Sequence, residues 1–136
     1  MRIAADTNVL LRAAIRDDPD QARLAAELLL RAEVIAVTLP VLCEFVWVLT
    51  RGYRRAASEV LGMIRSLLDS ATVQVDRPAV EAGLALLEAG GDFADGIIAF
   101  EGRRLGGSLF ASFDRKAVEL ITRTGAEAHL LGSAAD

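Results

Sequence analysis

Four carboxylates in this chain stand where a carboxylate is costly to place: Asp6, Glu44, Asp95 and Asp114. Asp6 ends a short apolar run at the N-terminus. Glu44 lies in the middle of an apolar stretch, Val41–Leu49. Asp95 follows Asp92 by three residues in a mostly apolar segment, a spacing that puts both on one helix face. Asp114 ends the apolar run Leu109–Phe113. If these acids meet, two like charges about 4 Å apart repel by roughly 4 kcal/mol at an effective dielectric near 20. Domain stability is only on the order of 10 kcal/mol. A pocket holding all four therefore needs protonation or a cation. Oxygen-only ligands select hard divalent ions, Mg²⁺ or Mn²⁺. The chain has one histidine, His129, and one cysteine, Cys43, so no zinc-type cluster is offered. The chemistry such a site performs is metal-assisted attack of water on a phosphodiester. The competing reading of each acid is a helix N-cap or a partner of the helix dipole, strong for Asp6 taken alone and for Asp92, which follows Gly90-Gly91, and weak for Glu44.

The elements that must position these groups follow from the spacing of apolar residues. Arg2–Ala5 reads as a buried strand. A helix over Asn8–Arg16 follows it, with Thr7 or Asn8 supplying a capping oxygen to its first turn. Asp18 and Pro19 open a helix running to about Arg31, with Ala22, Ala25, Ala26, Leu29 and Leu30 inward. Val34–Val37 is a β-branched strand. Thr38-Leu39-Pro40 starts a helix that is apolar nearly all round, so it is expected to pack on several sides, with Glu44 inside it and Gly52 ending it. Arg54–Asp69 is amphipathic, and Thr72–Val75 alternates like a strand. Asp76-Arg77-Pro78 opens a helix to about Ala89. Asp92 begins another that ends near Gly106-Gly107. Ser108–Phe113 is a strand, Arg115–Arg123 a helix capped by Gly125, and Ala126–Leu130 a last short strand. Strands alternating with helices imply parallel pairing through right-handed crossovers, an α/β sandwich. In a parallel sheet Asp6 and Asp114, each at a strand's carboxyl end, fall on one edge, where ligands of open α/β sheets bind. Glu44 and Asp95 lie in the first two turns of helices beginning beyond that edge, so one pocket can take all four.

The 136 residues, 53% hydrophobic but only 5% aromatic, are expected to form one domain with an aliphatic core and a frayed tail at 132–136. No apolar run approaches the roughly 18–20 residues of a membrane span, and no signal peptide is evident. Cys43 cannot form an internal disulfide and reads as a small buried hydrophobe, which fits a reducing cytoplasm. Net charge is −4, against a wholly basic nucleic-acid binder. All the basic residues but Lys116 are arginine, a good match to phosphate geometry, and they cluster at Arg51, Arg54 and Arg55, at Arg103 and Arg104, and at Arg115 with Lys116. Solvated helix faces account for those clusters equally well.

Asp6-Thr7-Asn8-Val9-Leu10, the Glu44 helix, Asp92-Phe93-Ala94-Asp95-Gly96-Ile97-Ile98-Ala99 and Ser112-Phe113-Asp114 resemble the motifs of PIN-domain ribonucleases. More narrowly they resemble the VapC toxins of bacterial type II toxin–antitoxin systems. The likeness spans Ile3 to about Leu131 with the motifs in family order. It implies a PIN-like three-layer α/β/α sandwich with a small parallel sheet of four or five strands. It also implies that Asp6, Glu44, Asp95 and Asp114 bind Mg²⁺ or Mn²⁺ and activate water, with Thr7, Asn8 and Ser112 in support. Asp92 has a counterpart in many members and not all. The implied activity is endonucleolytic cleavage of single-stranded or structured RNA, leaving 5′-phosphate and 3′-hydroxyl ends. The implied partners are a cognate antitoxin docked across the site and a second copy in a homodimer. Gly96 departs from the family pattern, where a helix former such as Ala is commoner. It either permits a close backbone contact or is tolerated near a helix start.

Two other readings compete. An aspartate-based phosphatase or phospho-acceptor also places an Asp after the first strand. The dehalogenase type wants a second Asp where Asn8 stands, and both types need a placed lysine, for which only Lys116 is present. A non-catalytic PIN-like module for RNA or protein binding is expected to have lost one or more of the acids, and all four stand here.

Overall fold

The computed structural model describes residues 1–132, and the chain divides into two compact units, Met1–Arg77 and Pro78–Asp136. In the first unit, β1 (Arg2–Ala4) leads into α1 (Thr7–Ile15) and α2 (Pro19–Arg31). Then come β2 (Val34–Ala36), α3 (Leu39–Trp47), α4 (Ala57–Asp69) and β3 (Val73–Gln74). The strands form one three-stranded parallel sheet in the order β1-β2-β3, with Ile3 opposite Ile35 and Ile35 opposite Val73. Helices join successive parallel strands, as the alternating pattern predicts.

Local signals account for most boundaries. The Asp18 side chain accepts a hydrogen bond from the Gln21 amide at 3.1 Å, and Pro19 occupies the first turn of α2, where its missing N–H costs nothing. Ala22 and Ala25 of α2 are buried, but Leu30 is 86% exposed, so the inward stripe is narrower than the apolar spacing predicts. Leu42, Phe45, Val46 and Leu49 carry the buried face of α3 and its continuation. Each such side chain contributes about 1.5–3 kcal/mol on burial. From Val48 to Gly52 the helix widens into one π turn, with the Tyr53 amide bonding to the Val48 carbonyl at 3.0 Å. The Thr50 hydroxyl donates back to the Val46 carbonyl at 2.8 Å, a bond that competes with regular α geometry. The helix predicted from Arg54 begins at Ala57. Arg54 itself has φ 54, a left-handed backbone that cannot start a helix.

In the second unit, α5 (Arg77–Glu88) and α6 (Phe93–Arg104) precede β4 (Leu109–Ser112), α7 (Arg115–Arg123) and β5 (Glu127–Leu130). Strands β4 and β5 pair in parallel, Leu109 opposite Glu127 and Ser112 opposite Leu130. The sheet expected with four or five strands is thus, among the described residues, five strands in two parallel sheets of three and two. The mixed α/β class with parallel strands is as the sequence predicts. Leu86, Ala99, Leu120 and Ile121 form a buried cluster, with Phe110, Ala126 and Ala128 packed on it.

Gly96 resolves the choice the sequence left open. A Cβ there would strike the Ala82 carbonyl oxygen and lie 2.9 Å from the Gly83 Cα. A Cβ on Gly83 would in turn stand 2.8 Å from the Phe93 ring. Helices α5 and α6 therefore cross backbone on backbone, which only glycine allows. No helix among the described residues is long and apolar enough to cross a membrane. Of the tail expected to fray, Gly132 closes a turn, and 133–136 lie outside the described residues.

Candidate functional site

In the first unit, β1 delivers Asp6 to the carboxyl edge of the parallel sheet. Asp6 is exposed and is itself the N-cap of α1, its Oδ1 accepting from the Val9 amide at 3.1 Å. This corrects the expectation that Thr7 or Asn8 caps the helix. An aspartate in extended conformation just before the first turn is better placed to do so. Thr7 is buried instead, and Asn8 is exposed on the first turn. Glu44 lies in the second turn of α3, the helix that follows the neighbouring strand. Its expected burial is wrong: Glu44 is exposed, and Trp47 one turn later is 59% exposed. Helix α3 is apolar in composition but keeps a wet face, so a carboxylate there carries little desolvation cost. Cys43 is half-buried rather than buried.

In the second unit three acids converge. Asp92 caps α6, its Oδ1 accepting from the Ala94 amide at 2.8 Å. Asp114 caps α7, its Oδ1 accepting from the Ala117 amide at 3.1 Å. The Ser112 hydroxyl accepts from the Asp114 amide at 2.9 Å, so Ser112 holds the backbone that aims Asp114. Asp95, in the first turn of α6, is half-buried. Burial pushes its carboxyl above the usual carboxylate range, and the negative charges of Asp92 and then Asp114 push the same way. The sequence pairs Asp92 with Asp95 by helical spacing, and the fold adds Asp114 to them.

Asp6, Asp92 and Asp114 each cap with one carboxylate oxygen, and the other has no protein partner among the described residues. The capping reading of these acids is therefore correct as far as it goes, and it leaves an oxygen of each open to a ligand. No group of three His, Cys, Asp or Glu among the described residues is gathered tightly enough to hold a metal ion. The donor set of Asp92, Asp95 and Asp114 nevertheless fits a hard divalent cation in kind. It is all oxygen, and the strain on Asp95 is of the sort that a cation relieves.

Of the arginines considered for phosphate contact, Arg55 pairs with Glu59 at 3.3 Å and Arg104 with Glu101 at 3.5 Å. Arg103 and Arg104 also stand 5.8 and 4.5 Å from the Phe100 ring centre. These clusters are partly self-neutralised helix faces, the plainer of the two readings. Arg51, Arg115 and Lys116 are exposed without an ion-pair partner among the described residues.

The PIN domain family model matches residues 3–121, across both units and every acid named above. The chain belongs to the PIN domain family. Its mixed α/β fold with small parallel sheets is consistent with the α/β/α architecture of that family. PIN domains are generally nucleases, typically with divalent metals. No curated protein matches the chain.

Proposed function

We propose that this PIN domain is a Mg²⁺- or Mn²⁺-dependent endoribonuclease, the toxin of a type II toxin–antitoxin pair of the VapC kind. Asp6, Glu44, Asp95 and Asp114 carry the reaction in this reading, with Asp92 as a further ligand and Thr7, Asn8 and Ser112 in support. The two units act as one PIN-like domain. The cellular setting is the cytoplasm, the partners are a cognate antitoxin and a second copy of the chain, and the substrate is RNA. The observation that carries the reading is Asp95, half-buried and resisting ionisation beside Asp92 and Asp114 in a PIN family chain. A structural role gains nothing from that crowding, whereas a cation site needs it. A bound divalent ion supplies a lowered pKa for water and charge stabilisation at the phosphate oxygens. The protein's own work is to fix the carboxylates. Capping holds Asp6, Asp92 and Asp114 each by one oxygen, and Ser112 steadies the backbone of Asp114.

A non-catalytic RNA- or protein-binding module is the second reading. It is favoured by the lack of a tight three-acid group among the described residues. Sequencing RNA ends after induced expression separates the two. The nuclease reading expects new 5′-phosphate ends with wild type and none with Asp6→Ala. Equal ends with both proteins would assign cleavage elsewhere. No new ends with either would favour the binding module.

A further inference from the structure

Phe113 is 80% exposed, yet its backbone is held on every side. The Ser112 carbonyl accepts from the Leu131 amide at 2.8 Å, the Ser112 hydroxyl accepts from the Asp114 amide, and Asp114 caps α7. Along β4 exposure alternates, Leu109 and Ala111 outward and Phe110 and Ser112 partly inward, so the register turns Phe113 outward. The ring thus stands out from a backbone that is tied down on both sides rather than from a loose loop. Directly after Asp114, the first turn of α7 carries Arg115 and Lys116, both exposed, and no acid. Cations at a helix N-terminus oppose the dipole, so the helix gains nothing from them. Neither has an ion-pair partner among the described residues. An outward aromatic ring beside two unpaired cations matches a single-stranded nucleic acid, whose bases stack on aromatic faces while its phosphates meet the charge. A protein partner covering an apolar patch would not call for the cations.

We propose that Phe113 is a stacking platform for a nucleobase of single-stranded RNA, with Arg115 and Lys116 on the flanking phosphates. It places a base next to Asp114 and makes Phe113 a positioning residue. The inference rests on the ribonuclease reading and adds to it a base contact beside Asp114.

The test is steady-state cleavage of a short, mixed-sequence, single-stranded oligoribonucleotide with Mn²⁺, with melting curves confirming that each variant folds. Phe113→Ala and Phe113→Leu should raise KM roughly 5- to 150-fold, the range of one lost base stack, with kcat much less affected. Phe113→Trp should hold KM near wild type. In a Trp47→Phe background its new indole fluorescence should be quenched when RNA is added. The Phe113→Ala defect should persist at high salt, while that of Arg115→Ala with Lys116→Ala should shrink. Wild-type KM in Phe113→Ala would overturn the inference and leave the ribonuclease reading standing. Wild-type KM in Phe113→Leu but not in Phe113→Ala would overturn it in favour of an apolar docking contact. A wild-type protein that cleaves no RNA would remove both.

Discussion

In each unit a strand, β1 in the first and β4 in the second, runs into an aspartate and then a helix, and these two corners share one capping device. Asp6 and Asp114 both sit in extended conformation, and each gives one carboxylate oxygen to the amide three residues on, at 3.1 Å. Their surroundings differ. Asp6 stands between buried Ala5 and buried Thr7, whereas Asp114 stands between exposed Phe113 and exposed Arg115. Asp114 also bears on Asp95, together with Asp92. The same local device, a strand-end aspartate capping a helix, thus has buried neighbours in the first unit and exposed neighbours in the second, although both aspartates are themselves exposed. A cap alone does not mark a functional acid. The company it keeps does.

The largest effect expected separates capping from chemistry at both corners. Asparagine caps a helix about as well as aspartate, so Asp6→Asn and Asp114→Asn should leave the melting temperature nearly unchanged. Alanine at either position should cost about 0.5–2 kcal/mol of stability. Under the proposed function both asparagine variants should lose RNA cleavage by roughly 10²–10⁴-fold, the usual range for a removed acid or base. A loss at Asp114 with none at Asp6 would show that only the second corner carries chemistry. Purified variants assayed on one RNA, beside thermal melts, decide this.

A pair of helix glycines sharpens the contrast in packing. Gly62 in α4 of the first unit has nothing within 4 Å of an added Cβ, while Gly96 in α6 of the second has backbone in the way. Gly62→Ala should stabilise by about 0.5–1 kcal/mol through helix propensity alone. Gly96→Ala gains the same propensity but must push α5 and α6 apart, and overpacking of this kind costs about 1–3 kcal/mol. The shift should also move Asp95, one residue away. Opposite signs in urea unfolding would confirm the close crossing. Stabilisation by both would show that the helices can separate freely.

What the sequence made legible was local. Asp18-Pro19, the span of α7 and the order of strands and helices could be read because caps, turn glycines and periodicity act within a few residues. Where side chains meet water was harder. Glu44 reads as buried because α3 is apolar in composition, but composition does not say which stripe faces out. Leu30 misleads for the same reason. The π turn at Val48–Gly52 leaves no mark in periodicity. The close contact at Gly96 depends on Ala82 and Gly83, more than a dozen residues earlier, so only the fold could decide it. Among the acids, Asp92 and Asp95 are paired by spacing, while the bearing of Asp114 on them is tertiary. The outward turn of Phe113 was latent in the alternation of β4, since every second residue from Leu109 points out.

The smallest expected effect tests whether the crowding around Asp95 is paid for in stability. Burial, then the charges of Asp92 and Asp114, raise its carboxyl above the ordinary aspartate value, so between the unfolded and the raised folded value the native state binds more protons than the unfolded chain. Stability must then fall as pH rises through that window, and the deficit persists above it. Below the unfolded value both states are protonated and the deficit vanishes. The contribution is modest because the group is only half-buried and solvent screens it. Asp95→Asn should flatten this part of the pH–stability profile and leave the protein slightly more stable at neutral pH. Mn²⁺ should raise the wild-type melting temperature by relieving the same repulsion, and should do so less in Asp95→Asn. At about a hundred times its dissociation constant an ion adds about 2.7 kcal/mol if it binds only the folded state, so this response sets the scale against which the bare repulsion is small. A pH slope unchanged by Asp95→Asn would mean that the three acids do not press on one another in solution. The corner at Asp114 would then differ from the one at Asp6 only in its neighbours, exposed Phe113 and Arg115 against buried Ala5 and Thr7.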